Sequence, residues 1–380
     1  MKANLFLYSD NSFVPFEREN DIEEFDPHLV LGFGARQILE DKEVYTKVRE
    51  KFPTAQIALC SSAGEIFSTK VLDNSLTLAA LQFKNTKIAC HSINIKEYHN
   101  SFSAGNALIS KFDQKELVYV LVLSDGALVN GSELVRGINE TTKKKIVVTG
   151  GLAGDNADFS YTVTGLNSFP EQGVIIGIGF YGDKIKIGNG SRGGWEKFGL
   201  DKIVTKSEAN VLYEIGHTNA LELYKKYLGP EDAAKLPASA LLFPLFVTLP
   251  GSDGQVVRTI LSIDNAKGSM TFAGDIPQGS NVSFMKANFD KVITAASDAA
   301  SDTLNAADKP DFALLISSVG RKLILQTRVE EEVEAIDEIF NHKTPLFGFY
   351  SYGELSPLNN GGACQLHNQT MTITTFTENE

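Results

Sequence analysis

Apolar residues along the chain fall into short runs of buried-strand length, separated by stretches with helical spacing. One order of these elements recurs three times. In the middle of the chain, Leu117 to Leu123 is a continuous apolar run followed by the turn residues Ser124-Asp125-Gly126. Leu134, Val135 and Ile138 then mark a helix, Ile146 to Val148 a second strand, Thr149 to Asp155 a glycine-rich loop, and Val174 to Phe180 a closing strand. Towards the C-terminus, Phe312 to Ile316 leads through a turn at Ser317-Ser318-Val319-Gly320-Arg321 to a helix marked by Val329, Val333, Ile336 and Phe340. Leu346 to Phe349, the loop Tyr350 to Glu354 and Thr370 to Phe376 complete that copy. The first copy has His28 to Phe33, a helix face of Val44, Val48 and Phe52, Ile57 to Leu59, the loop Cys60 to Glu65, and Leu76 to Phe83.

Each unit is strand, helix, strand, small-residue loop, strand. The parallel wording SSAGE, GGLAGD and YSYGE at one place in the unit predicts a true structural repeat. A strand–helix–strand crossover gives parallel neighbours with a right-handed connection, so the loops gather at the strands' carboxyl edge, where open sheets bind ligands. Candidate ligand-binding residues are therefore Ser61, Ser62, Gly64 and Glu65, then Gly150, Gly151 and Asp155, and Tyr350, Ser351, Tyr352 and Glu354. Small residues let backbone N–H groups approach a ligand, while each closing acid offers a charge. The competing reading, in which the glycines serve turns and the acids cap the next element, stays open.

From about Lys184 to Ala307 the pattern changes. Asn219 is placed to cap a helix carrying Leu221, Tyr224 and Leu228, stopped by Gly229-Pro230. Strands are expected at Asn210 to Ile215, Ala240 to Val247, Val257 to Ile263, Met270 to Phe272 and Val282 to Met285, with turns at Asn265 to Gly268 and Pro277 to Gly279. A helix from Phe289 to Leu304 returns to the third unit. The expected fold class is α/β and α+β: repeated units with mixed sheets, plus an inserted, mostly antiparallel α+β domain.

Net charge of −12 and no basic run longer than Lys143-Lys144-Lys145, read as solvated surface, argue against nucleic acid. Met1 to Asp10 reads as a first strand rather than a signal peptide, and no apolar stretch approaches the roughly 20 residues of a membrane helix. Cys60, Cys90 and Cys364 are far apart, which suits a reducing compartment and excludes a cysteine-rich zinc site. Gly177-Ile178-Gly179-Phe180-Tyr181-Gly182 matches a dinucleotide fingerprint, but its glycines lie in and just after a strand that Asp183 to Gly188 is expected to continue, so no helix begins there. No nucleophile with a positioned base stands out, and Cys60 reads as a buried small hydrophobe, so no catalytic residue is assigned and an enzyme is not expected. Arg192 near Trp195, and Arg321, are candidate cations for a zwitterionic ligand. The alternative has Trp195 packing a domain junction and the arginines neutralising acids. No spaced metal ligands occur, although one histidine suffices for haem, with His367 and His217 as axial candidates.

At these residues the chain resembles the FIST family nearly end to end. The N-terminal resemblance rests on Cys60 to Ile66 and Gly150 to Asp155, and the bridge on Gly194-Trp195 with Phe198-Gly199. The C-terminal resemblance rests on Leu212 to Ile215, Val257-Arg258, Thr271 to Asp275, Val319 to Arg321, Gly348 to Glu354 and His367 to Thr370. It implies a FIST N-terminal module over 1–200 holding two units, and a C-terminal module over 201–380, with an α+β segment at about 201–307 and the third unit at about 308–380. It also implies a cytoplasmic sensor of a small ligand, amino acids among them, acting on a separate histidine kinase or cyclic-di-GMP enzyme such as a diguanylate cyclase. A stand-alone branch of similar layout binds haem b and senses nitric oxide for a partner histidine kinase. The turn Gly216-His217-Thr218-Asn219 departs from the family's usual acid-Gly-base-Pro.

Overall fold

A computed structural model describes residues 1–16, 25–143, 145–156, 158–251, 255–357 and 362–379. Lys143 and Lys145 are exposed, and Lys144 lies outside the described residues.

The three units have the expected order. In the first, strands Leu29–Gly34 and Gln56–Ser61 pair in parallel across the helix Lys42–Lys51, and Leu76–Gln82 returns antiparallel beside Leu29–Gly34. Leu117–Ser124, Gly131–Thr142, Val147–Leu152 and Val174–Tyr181 repeat this in the second. Phe312–Ser318, Val329–Ile339, Leu346–Ser351 and Met371–Glu378 repeat it in the third. The parallel pairs are buried on both faces, which is why they read as unbroken apolar runs rather than alternating ones.

The units are interlocked in a cycle. After its small-residue loop, the first unit adds Glu65–Phe67 and Lys70–Leu72 to the edge of the third unit's sheet. The second adds Thr164–Leu166 to the first unit's sheet, and the third adds Gly353–Pro357 and Cys364–His367 to the second's. Each of these three sheets has six strands, five of them in corresponding order. One core fills the space between all three, with Phe33 against Phe349 at 4.3 Å, Tyr119 against Phe376 at 5.6 Å and Phe180 against Phe376 at 5.4 Å between ring centroids. Truncating one of these fully buried rings to alanine costs about 3–5 kcal/mol.

Between the second and third units lies an antiparallel sheet built around the long strand Glu196–Glu208. Up to Ile203 it pairs with Asn281–Lys286, with a register shift between Phe198 and Lys202, and from Val204 it pairs with Val211–Ile215, so the sheet curls. Asn219 caps the helix Ala220–Leu228 as expected, accepting from Glu222 N at 3.0 Å. Three local expectations are corrected. Ala240 to Val247 is not one strand but a 3₁₀ turn at Ala238–Leu242 followed by Leu245–Thr248, because Pro244 has no N–H for a ladder. Ser317 to Arg321 is not a turn: the strand runs to Ser318, whose hydroxyl accepts from Gly320 N at 3.3 Å and starts the helix Val319–Leu325. Asp183 to Gly188 does not prolong the preceding strand, since Gly182 turns the chain into a new strand, Ile185–Arg192, in the third unit's sheet. Met1 to Asp10 contains the expected first strand, Lys2–Ser9. Among the described residues no helix is long and apolar enough to cross a membrane.

Candidate functional site

The three small-residue loops meet. Ala63 N donates to Tyr350 O at 2.8 Å, Gly154 N to Ser61 O at 2.9 Å and Tyr352 N to Leu152 O at 3.1 Å. Each loop thus donates to the strand end of another unit, in the same cyclic order as the strand exchange. Contact this close needs a glycine at 154, where a Cβ would lie 2.8 Å from Ala63 N.

The side chains at this junction are satisfied by one another. Glu65 accepts from Ser62 Oγ and Ser75 Oγ, each at 2.5 Å, and from Ser75 N at 3.3 Å. Glu354 repeats the pattern with Ser351 Oγ at 2.8 Å, Thr370 Oγ1 at 2.9 Å and Thr370 N at 3.1 Å. Both carboxyls are buried, and desolvation pushes them up, Glu65 to about 7 and Glu354 to about 8, against the opposing pull of their hydroxyl and N–H donors. Asp155 accepts from Ser160 N at 2.9 Å and Tyr161 N at 3.0 Å, and from the Tyr352 hydroxyl. Ser61 Oγ accepts from Val163 N at 3.0 Å, and Tyr350 donates to Glu332 at 2.7 Å. Gly150 and Gly151 pair with Leu355 and Glu354, while Gly64 lies against the Lys322 side chain. Of the two readings left open for these acids, turn closure and unit-to-unit adhesion describe their bonds.

The candidate cations are also committed elsewhere. Arg321 is fully buried, paired with Glu332 at 2.8 Å, and donates to Val292 O at 2.7 Å and Gly193 O at 2.5 Å. Arg192 is half exposed and pairs with Asp302 at 2.8 Å. Trp195 packs with Met285, Val292, Ile324 and Leu325, where the curled sheet meets the third unit. Cys60 is buried, and desolvation pushes its thiol up, away from nucleophilic character.

A cleft of about 500 Å³ lies elsewhere, between the helix Gly131–Thr142, the curled sheet and the start of the strand Cys364–His367. Phe102, Val135, Leu249, Pro277 and Ala363 give it apolar walls, and Ser132, Asn139, Gln365, Asp275 and Arg258 supply polar groups. Arg258 is 3% exposed. Its Nε donates to Asp275 O at 3.1 Å, and its Nη1 to Leu366 O at 2.9 Å and Val257 O at 3.2 Å. Burial holds its pKa down at about 10, with Asp275 opposing the shift. Gly274 makes room for the guanidinium, since a Cβ there would lie 2.9 Å from Nε. Leu366 belongs to the strand that the third unit adds to the second, so this arginine ties the curled sheet to the interlocked repeats.

The family model for the FIST N domain matches residues 28–218, and that for the FIST C domain matches residues 220–357. The chain belongs to the FIST family. No curated protein matches it. In this FIST protein the boundary between the two matches falls in the turn before the helix Ala220–Leu228, within the curled sheet.

The two histidines considered for haem, which resemblance to one FIST branch implies, sit in contrasting surroundings. His367 is buried, and its Nε2 donates to Ser356 O at 3.0 Å, which leaves Nδ1 as its unprotonated nitrogen. Desolvation lowers its pKa to about 4. His217 is exposed on a turn with left-handed backbone and lines none of the described clefts. Val257-Arg258 and Thr271 to Asp275 carry part of the family resemblance, yet their wording alone assigns them no role. The signal was an arginine set within the apolar run Val256 to Ile260.

Proposed function

We propose that this FIST protein is a cytoplasmic small-ligand sensor, a binding module rather than an enzyme, that regulates a separate signalling partner such as a histidine kinase or cyclic-di-GMP enzyme. Membership of a signal-transduction family supports the general role. The observation that carries the choice of seat is the cleft itself, with mostly apolar walls, a few convergent polar groups and the buried Arg258. Ligand binding there acts on the Arg258–Leu366 tie, and through the strand Cys364–His367 on its neighbour Gly353–Pro357, which carries Glu354 into the three-loop junction. A ligand shifts such a link only if it binds one arrangement better than another.

A thermal-shift screen of metabolites against the protein and its Ala363→Trp variant tests this reading. Ala363 is half-buried in the cleft wall, so the indole occupies the space of a ligand. Compounds that raise Tm for the parent chain and not for the variant support the seat. Hits that are indifferent to the substitution contradict it.

A further inference from the structure

We infer that the cleft takes a carboxylate carried on a short apolar body, held by Nη2 of Arg258, which bonds no described group; this rests on the cleft being the sensor's ligand seat. Three carbonyl oxygens occupy Nε and Nη1, and none of these bonds uses Nη2. No described carboxylate lies within 4.0 Å of the guanidinium, and the Asp275 carboxylate instead accepts from Asn130 Nδ2 at 3.2 Å. A guanidinium 3% exposed and without a carboxylate partner among the described residues is a charge only partly compensated. Carbonyl dipoles offset only part of its desolvation. An anion entering the cleft supplies the rest through charge-assisted hydrogen bonds.

The lining limits what that anion is. Arg258 is the one buried cation of the wall, since Arg136 is 64% exposed and already beside Glu133. Asp275 and Glu140 also line the cleft, so a dianion such as a phosphate monoester meets stronger repulsion there than a single carboxylate does. Phe102, Val135, Leu249 and Pro277 favour an apolar remainder over a sugar or a polyol.

Calorimetric titration of the full chain with phenylacetate, phenylacetamide, phenethylamine and phenyl phosphate separates the possibilities. Phenylacetate is expected to bind, with the neutral amide at least about tenfold weaker, as loss of one charge-assisted hydrogen bond implies. Phenethylamine and phenyl phosphate are expected not to bind. Arg258→Met removes the preference for phenylacetate over phenylacetamide, with circular dichroism reporting whether the variant folds. Ala363→Trp, which leaves Arg258 in place, abolishes phenylacetate binding. No phenylacetate binding at millimolar concentration overturns the inference, as does equal affinity for acid and amide, or undiminished affinity in folded Arg258→Met. Should the amide or the amine bind at least as tightly as phenylacetate, in a manner blocked by Ala363→Trp, the seat stands and the carboxylate class falls. If phenylacetate binds the tryptophan variant as it binds the parent, both fall.

Discussion

Glu354→Gln replaces a fully buried carboxyl by a neutral amide of the same shape, leaving Thr370 N–H and Oγ1 an oxygen to donate to. Burial pushes the native carboxyl to about 8 from an ordinary 4.5. The unfolded chain therefore ionises first. The group's contribution to stability is complete below its unfolded pKa and is lost as pH rises through the folded value. Between about pH 5 and about pH 8 the native protein loses about 3 kcal/mol from this carboxyl, at about 1.4 kcal/mol per pH unit. Divided by the unfolding entropy of a chain this long, that is about 4 °C in Tm. Glutamine carries no such term, so the variant should melt close to the parent near pH 5 and about 4 °C above it near pH 8. Scanning calorimetry at the two pH values measures the difference of differences. His367, whose pKa is lowered to about 4, acts with the opposite sign in the acid range, is present in both proteins and cancels. A variant destabilised equally at both pH values refutes the reasoning, because it would mean that the carboxyl is held ionised, with Arg321 nearby, across the whole range.

Arg321→Met should destabilise the protein by about 3–5 kcal/mol in urea unfolding, since it leaves Glu332 buried without its cation. Adding Glu332→Gln should recover part of that loss, because the amide still accepts from Tyr350 and Ser317 while removing the stranded charge.

The repeat was legible because its signals are local. Runs such as Leu117 to Leu123 are apolar throughout only when both faces are covered, and Val329, Val333 and Ile336 fall on one helix face. Topology placed each loop at the carboxyl edge of its own sheet, but that the three loops meet depends on how the three sheets are joined. The cyclic exchange of edge strands was not legible. Glu65–Phe67 pairs with Leu346–Ser351 some 280 residues away, and nothing in the wording of either strand selects its partner. The bonds of the acids were not legible either, for a related reason. A serine three residues before Glu65 or Glu354 looks like part of a ligand cradle, yet its hydroxyl closes the turn on the carboxylate. Arg321 and Arg258 carry the same charge in the sequence, and only the fold distinguishes them. One has a buried carboxylate at 2.8 Å, and the other has carbonyl oxygens alone.

Hydrogen–deuterium exchange of the full chain, with and without a saturating hit from the metabolite screen, locates the ligand without assuming its identity. We expect new protection on the helix Gly131–Thr142, on residues 255–277 and on the strand Cys364–His367. Protection concentrated instead on residues 61–65, 150–155 and 350–354, with the helix unchanged, would put the ligand at the three-loop junction and contradict a seat beside Arg258.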